Sequence, residues 1–383
     1  MKTTDFNENA PGKVIKTLEG YYVFVPDPLP PKLEWSNKLL GGLASAERSI
    51  SRLEEVGKAF PVPHIVVRPF IRKEAVPSSQ IEGTRTTFQE LLAYEVQQLS
   101  LFGDVEDRQE VQNYVYALDY GLKRLKSLPI SLRLIREIHG ILMKGVRGEG
   151  MTPGEVRRSQ NWIGRSGTTL EEARFVPPPV SEMESCLSDL EKFIHQETDL
   201  PALIKVAMIH YQFETIHPFL DGNGRIGRLL ITFLLVVWDL LSQPLLYLSL
   251  YIEKNSTEYY DRLLDVTRKG KWEEWFLFFL DGVHQQAEDA VNRIQALQKL
   301  RLKYQELYNK DRSRVNLSEM VDYFISTPIS SIKQAIESTN LGSFVTVQGY
   351  IEKLEELGIL REVTGKARGR IYSADTILRV LEG

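Results

Sequence analysis

Cysteine is nearly absent from this sequence of 383 residues. Its one cysteine, Cys186, can form neither an internal disulfide nor a multi-cysteine metal site, which is typical of proteins in a reducing compartment. Because Cys186 falls within a helical pattern of apolar residues, we expect a buried thiol there and not a nucleophile.

Long hydrophobic segments are lacking as well. The N-terminus is polar and does not contain the apolar core of a signal peptide. The strongest apolar run, Leu229 to Trp238, is well short of the ~20 residues that span a bilayer, and we interpret it as a helix buried on all sides. We therefore expect a cytoplasmic protein without a membrane partner.

A large excess of charge is missing too. Lysine plus arginine total 47 against 51 acidic residues, a formal net charge of -4, which excludes a polycation that coats nucleic acid. With 43% hydrophobic and 26% charged residues, the composition also excludes a disordered chain. The length predicts two or three folded units.

Apolar residues at helical spacing dominate the middle of the chain, so helices should pack on helices there. In the stretch from Met151 to Val180, glycines and prolines surround short strand-like pieces, a pattern that indicates a hairpin or flap. We predict a mainly α-helical fold with a small β-hairpin flap and a C-terminal α+β domain. The predicted boundaries are an N-terminal region at 1–107, a helical core at 108–287, a helical connector at 288–312 and a C-terminal domain at 313–383.

The two ends of the chain carry weaker patterns. A proline-rich passage from Pro26 to Pro31 predicts an arm that leads into a helix, and a further helix is predicted to begin at Pro77. After Asn316, three helices and a basic-tipped hairpin follow the plan of a winged helix. Its third helix, Thr346 to Leu357, is acidic, so we favour protein docking or self-association over DNA binding.

The segment from His217 to Arg228 concentrates groups that carry chemistry. Pro218 should end the preceding helix, which leaves the imidazole of His217 as a candidate base at the mouth of a loop. Gly222 and Gly224 allow the positive φ angles of a cup of N–H groups, and a helix is predicted to begin between them. Such a cup at a helix N-terminus binds phosphate.

Charged residues complete this segment. Arg225 and Arg228 lie three apart on one helix face, where two cations could hold successive phosphates of a nucleotide. Asp221 supplies an oxygen ligand for Mg²⁺. Because base, metal ligand, anion cup and cations occur together, we favour phosphoryl-type chemistry over a surface loop with incidental charges.

A dinucleotide-binding enzyme is the alternative for the same residues, since 222–227 satisfy the G-x-G-x-x-G pattern. That pattern needs a preceding strand in a βαβ unit. The preceding residues are apolar at helical spacing, and the strands of a parallel sheet are missing elsewhere, so we reject this alternative. A G-x-x-x-x-G-K-[ST] phosphate loop is also absent.

The segment resembles the signature of the Fic family, H-P-F-x-[DE]-G-N-G-R-x-x-R, at every specified position. The resemblance implies a Fic-type helical core and a protein adenylyltransferase, which moves AMP from ATP onto a Ser, Thr or Tyr hydroxyl of a target protein (AMPylation). The implied roles are a general base for His217, a Mg²⁺ ligand for Asp221, α-phosphate binding for Gly222, Asn223 and Gly224, and β/γ-phosphate binding for Arg225 and Arg228.

An inhibitory motif of the same family, [ST]-x-x-x-E-[GN], is matched by Ser78, Glu82 and Gly83. The resemblance implies that Glu82 pairs with Arg228 and keeps the γ-phosphate from a productive pose. A carboxylate in the fork of a guanidinium competes with phosphate for the same bidentate partner. We therefore expect a self-inhibited protein, with the inhibitory helix inside residues 1–107.

Two further regions resemble parts of the family. In the family, a flap adds a strand to an extended segment of the target protein. That flap is similar to the segment Arg174, Phe175, Val176 and Pro177 of this chain, although a plain proline-rich loop is an equal alternative. Residues 252–260, which include Asn255 and Tyr260, resemble the segment that flanks the adenine of the nucleotide in the family.

The signature alone does not specify the nucleotide donor or the partner protein. Doc-like relatives transfer a γ-phosphoryl group and carry a lysine where this chain has Gly224, so the glycine favours AMP transfer. The sequence leaves self-AMPylation and a homodimer open. The alternative function is a DNA-associated regulator that senses ATP without transferring it.

Overall fold

The structure is a computed structural model that describes residues 1–97, 105–164 and 169–383. Helices dominate these residues, so the predicted mainly α-helical fold is confirmed. In chain order the helices are α1 (Asn37–Ala59), α2 (His64–Gln80), α3 (Phe88–Gln97), α4 (Val105–Arg124), α5 (Leu132–Leu142), α6 (Val180–His195), α7 (Ala202–Ile216), α8 (Asn223–Val237), α9 (Ser249–Lys254), α10 (Ser256–Lys269), α11 (Trp272–Leu307), α12 (Arg314–Ser326), α13 (Ile332–Ser338), α14 (Phe344–Glu356) and α15 (Asp375–Glu382).

A hairpin precedes α1, where only an arm was predicted. Strands β1 (Gly12–Lys16) and β2 (Tyr22–Pro26) pair antiparallel. Val23 and Phe24 are fully buried, and the N–H of Phe24 donates to the carbonyl of Val176 at 3.0 Å. Because the hairpin is buried against residues about 150 positions away, its short local pattern could not reveal it.

The prediction that a helix begins at Pro77 is wrong. Pro77 lies inside the last turn of α2, which also contains Pro69. Proline favours the first turn of a helix because it has no N–H to donate, but burial of most of α2 against other helices overrides that preference here. As a result Ser78 is a fully buried residue of the helix and not an N-cap.

The central helix α8 begins at Asn223, as predicted. Its residues from Leu229 to Leu235 are buried, while Val237 at its end is 43% exposed. Cys186 is buried in α6, so the prediction of a buried thiol is confirmed, and burial raises the pKa of this thiol to about 11. Within the described ranges no helix combines the length and hydrophobicity needed to cross a bilayer.

The connector predicted at 288–312 is largely the second half of α11, a helix of 36 residues. It packs along α1 and buries one face, including Val291, Ile294 and Leu297. The predicted boundary at residue 288 therefore falls inside a helix. A few apolar residues suffice there because they recur at helical spacing and so share one face.

The C-terminal residues combine helices α12 to α15 with three short strands. These are β3 (Ile329–Ser331), β4 (Arg361–Glu362) and β5 (Ile371–Ser373), in the order β3-β5-β4 with antiparallel pairing. The three predicted helices and the hairpin are present. Strand β3 and helix α15 were not predicted. A three-residue strand carries too little pattern to detect, whereas α15 does carry apolar residues at helical spacing, namely Ile377, Leu378 and Leu381.

The close approach of α4 and α8 gives a test of this packing. A Cβ on Gly121 would lie 2.3 Å from Cζ of the buried Phe233, so Gly121→Ala is expected to lower the free energy of unfolding by about 1–3 kcal/mol. Gly41→Ala in α1 is the matched control, since its Cβ would meet nothing within 4 Å, and it should stabilise by about 0.4–1 kcal/mol. Equal thermal unfolding of both variants would contradict this packing.

Candidate active site

The backbone at His217 ends α7 in an unusual conformation. His217 has φ 51° and ψ 61°, in the left-handed region that residues other than glycine seldom adopt. Two side chains hold its carbonyl, with Arg157 Nε at 3.0 Å and Asn161 Nδ2 at 3.1 Å. The helix therefore ends where Pro218 predicted, and the imidazole is directed by buried hydrogen bonds that the sequence pattern did not indicate.

The imidazole of His217 is held in one tautomer. Its Nδ1 lies 3.2 Å from the carbonyl oxygen of Glu214, an acceptor only, so Nδ1 carries the proton and Nε2 the lone pair. Burial lowers the pKa of His217 to about 4. At neutral pH the ring is therefore uncharged, and Nε2 can accept a proton.

The loop that follows is fixed by an amide side chain. Asn223 Oδ1 accepts from the N–H of Phe219 at 2.9 Å, and its Nδ2 donates to the carbonyl of Phe219 at 2.8 Å. Both polar atoms of the side chain thus hold the loop in shape. The N–H groups in the first turn of α8 have no partner within the helix, an arrangement that suits a bound anion.

The two glycines of the segment serve different needs. Gly222 has φ 77°, as predicted for the cup, and precedes α8. The prediction of positive φ at Gly224 is wrong, because this residue lies in the first turn of α8. Glycine is needed at this position because a larger side chain has no room: a Cβ would lie 2.4 Å from Glu82 Oε1 and 2.9 Å from Arg228 Nη1.

Arg228 is 2% exposed and is held by the end of α2. Its Nε donates to Ser78 Oγ at 2.8 Å, and its Nη2 donates to the Ser78 carbonyl and to Glu82 Oε1, both at 2.7 Å. Burial raises the pKa of Glu82, but the charges of Arg228 and Arg225 and the hydrogen bond from Arg228 together outweigh it and hold this pKa below its ordinary value. Glu82 is therefore ionised and forms an ion pair with the guanidinium of Arg228. Gly83 follows Glu82 in the turn and has φ 103°.

Arg225 faces a different carboxylate from Arg228. Its Nη1 lies 3.1 Å from Glu110 Oε2, and its Nη2 lies 3.5 Å from Asp221 Oδ1. Arg225 and Glu110 are 2% and 1% exposed, so this ion pair is buried. Glu110 was missed in the sequence because it lies in a charged helix, 115 residues before its partner, with nothing local to distinguish it from a solvent-exposed glutamate.

Asp221 is the carboxylate nearest the cup, and its side chain is 38% exposed. Its Oδ1 accepts from the N–H of Gly222 at 2.6 Å. Among the residues that the structure describes, no group of three or more histidine, cysteine or acidic side chains could hold a metal alone. One accessible carboxylate beside an anion cup fits Mg²⁺, which binds through one or two carboxylates, phosphate oxygens and water.

His139 packs against the loop from His217 to Gly222 and holds it by a hydrogen bond, a role that its position in the sequence does not reveal. Its ring stacks on Phe219 at 3.8 Å, and its Nδ1 accepts from the N–H of Gly154 at 2.8 Å. Its Nε2 then donates to the carbonyl of Asp221 at 3.0 Å. Burial lowers the pKa of His139 to about 4, so the supporting ring is neutral.

The flap is built differently from its prediction. Ile163 and Phe175 form one antiparallel bridge, while the carbonyl of Val176 accepts from Phe24 of β2. The expected free edge is therefore partly covered by the N-terminal hairpin. Arg174 pairs with Asp261 of α10. Pro177 accepts from Gln160 through its carbonyl at 3.1 Å. The predicted flap region also includes 165–168, which lie outside the described residues.

Of the two residues assigned to the adenine side, only one approaches the cluster. Burial first, and then the charge of Glu82, raise the pKa of Tyr260 to about 12, so this phenol lies within electrostatic range of Glu82. Asn255 instead uses its Nδ2 to donate to the carbonyl of Tyr251 at 2.9 Å. Its amide therefore terminates α9.

The fold and site define a helical protein in which a histidine-bearing loop, an anion-binding helix end and two arginines meet. Residues 40–123 match the family model described as Fic/DOC family N-terminal, and residues 129–235 match that described as Fic/DOC family. The chain belongs to the Fic family.

Curated relatives are similar over part of their length. Protein adenylyltransferase Fic of Drosophila mojavensis is 27% identical over 201 residues, which cover 50% of this chain and 38% of that protein. A probable protein adenylyltransferase of Aquifex aeolicus is 31% identical over 128 residues, covering 33% of this chain and 37% of that protein. The chain thus spans little more than a third of the length of these relatives.

Solved structures share the fold. A Fic family protein from Desulfovibrio desulfuricans superimposes with a TM-score of 0.58 at 18% identity, covering 90% of this chain and 98% of that one. Fic-1 from C. elegans (residues 134–508) gives a TM-score of 0.52 at 19% identity, covering 68% of this chain and 74% of that one.

Proposed function

We propose that this protein is an adenylyltransferase that moves AMP from ATP to a Ser, Thr or Tyr hydroxyl of a protein target. The observation that carries the proposal is the neutral His217, whose Nε2 is free to accept a proton beside the N-terminus of α8. The relatives named protein adenylyltransferase Fic support the same reaction. Phosphate binding alone would not require a base at this position.

In the proposed reaction, the target hydroxyl gives its proton to His217 Nε2 while its oxygen attacks the α-phosphorus of ATP. The bond from that phosphorus to the bridging oxygen breaks, and pyrophosphate leaves with the electron pair. The N–H groups of α8 hold the α-phosphate, and Arg225 and Arg228 hold the β- and γ-phosphates. Mg²⁺ held by Asp221 would supply positive charge to the phosphates.

We further propose that the protein inhibits itself. Glu82 and Ser78 accept hydrogen bonds from Nε and Nη2 of Arg228, so the γ-phosphate cannot form a bidentate pair with this guanidinium until the end of α2 moves. Gly224 fits this arrangement because any larger residue would displace the carboxylate of Glu82.

The direct test uses the Glu82→Gly protein, Mg²⁺ and ATP labelled at either the α- or the γ-phosphate. AMP transfer places the α-label, and never the γ-label, on protein, either this chain or added cell lysate. The Glu82→Gly/His217→Ala protein is the control and should incorporate neither label. Incorporation of the γ-label alone would replace the proposal with phosphorylation, and binding of ATP without incorporation would favour a nucleotide sensor.

For residues 313–383 we propose a winged-helix unit that docks protein. Its support is the helix order and the β3-β5-β4 sheet. Phe344 and Val345, at the start of α14, are 53% and 79% exposed, and apolar residues there suit a protein surface better than a phosphate backbone. A salt-dependent shift of mixed duplex DNA would instead favour the DNA-associated regulator.

The low pKa of His217 predicts an unusual pH dependence. A base acts only when it is unprotonated, so a pKa near 4 keeps it competent as the pH falls through the range in which histidine ordinarily titrates. Between pH 7 and 5.5, kcat/KM of the Glu82→Gly protein should change by less than about twofold, whereas a base of pKa ~6.5 would lose about tenfold. Circular dichroism at each pH controls for unfolding, and a tenfold loss in folded protein would contradict the assignment.

A further inference from the structure

The turn that follows α5 lies directly against the proposed metal ligand. Gly145 and Gly148 have φ angles of 68° and 88°, which bend the chain sharply after Leu142. A Cβ on Gly148 would lie 2.5 Å from Asp221 Oδ2. Residues 145–148 therefore border the phosphate site. Of the two side chains between these glycines, Val146 is buried in the core and Arg147 is exposed.

Arg147 is the side chain presented by this turn. Its Nη2 lies 3.6 Å from Glu110 Oε1 and 3.4 Å from the backbone carbonyl of Glu82. The other oxygen of Glu110 pairs with Arg225 at 3.1 Å. One buried carboxylate thus holds two arginines at the same site, and one of them also touches the inhibitory turn.

The three arginines of the site differ in their freedom to move. Arg225 and Arg228 are 2% exposed and fixed by short contacts to carboxylates. Arg147 is 56% exposed, and its contacts are long. A guanidinium with these properties can turn toward a ligand without leaving a buried charge unpaired, because Glu110 keeps Arg225 as its partner.

We propose that Arg147 is a third phosphate-binding cation, which contacts the β- and γ-phosphates of ATP and the departing pyrophosphate, and that Glu110 is the residue that positions Arg147 and Arg225. This inference rests on the proposed adenylyl transfer. When the bond at the α-phosphorus breaks, negative charge moves onto pyrophosphate. A mobile arginine at the edge of the site can follow that charge as the product leaves.

The test separates the β- and γ-phosphates from the rest of the nucleotide. In the Glu82→Gly protein, Arg147→Ala should weaken ATP and pyrophosphate binding by about tenfold, the value of one hydrogen bond between charged groups, and leave AMP binding unchanged. Arg147→Lys should keep part of the affinity. The matched control is Arg133→Ala on α5, where the side chain is 70% exposed and far along the helix from this turn, and it should change no affinity.

Positioning by Glu110 has its own readout. Glu110→Gln should raise KM for ATP with little change in kcat, and its effect should be smaller once Arg147 is already alanine, because only the part that acts through Arg225 then remains. Calorimetric ATP binding that Arg147→Ala leaves unaltered, or an equal loss for AMP and ATP, would overturn the proposal. These binding measurements do not require transfer, so a Glu82→Gly protein without activity would count against the adenylyl transfer alone.

Discussion

Replacing His217 with alanine in the Glu82→Gly protein is expected to reduce AMP transfer by a factor of about 10²–10⁴, the usual contribution of a general base. The reason is that Nε2 is the proton acceptor at the mouth of the loop, with Nδ1 committed to the carbonyl of Glu214. ATP affinity should change little, because a base acts on the acceptor hydroxyl and not on the donor. The measurements are kcat for label transfer and calorimetric binding of ATP.

His139→Ala is the informative comparison for that experiment. His139 is also buried and neutral, but its two nitrogens are engaged by Gly154 and by the carbonyl of Asp221. It should therefore weaken ATP binding through the loop and retain more transfer at saturating ATP than His217→Ala. If the two variants lost kcat equally and bound ATP equally, the base would have been misassigned.

Glu82→Gly is expected to raise transfer by about 10- to 150-fold over the wild-type protein. This range corresponds to about 1.5–3 kcal/mol for one hydrogen bond between charged groups, which Arg228 would then form with the γ-phosphate instead of with Glu82. The initial rate of α-label incorporation at fixed ATP measures the effect.

Two milder variants weaken the contact between Glu82, Ser78 and Arg228 in smaller steps. Glu82→Gln keeps the size of the side chain but removes its charge, so its activation should fall between that of the wild type and that of Glu82→Gly. Ser78→Ala removes only the hydroxyl that accepts from Arg228 Nε and leaves the ion pair, so it should activate least. A rate for Glu82→Gly no higher than that of the wild type would show that the ion pair with Arg228 does not restrain the reaction.

Much of the site could be predicted because its parts are adjacent in the chain. The end of α7 at His217, the positive φ at Gly222 and the start of α8 at Asn223 all follow from local preferences of proline, glycine and the apolar run. The error at Pro77 has the opposite origin. There a local preference for starting a helix was overridden by burial of α2, which only packing could decide.

By itself, the sequence determined the helical class, the start of α8 and the chemical character of the loop from His217 to Arg228. These are properties of residue type and spacing within a few turns of chain. Only the tertiary structure decided which charges meet. Arg225 meets Glu110 across 115 residues, and the hairpin of β1 and β2 covers the flap at Val176. The pair of Arg228 and Glu82, 146 residues apart, was expected from the family motif and not from residue spacing. No periodicity in a single sequence carries such pairings, because burial brings distant groups together and makes their charges interact strongly.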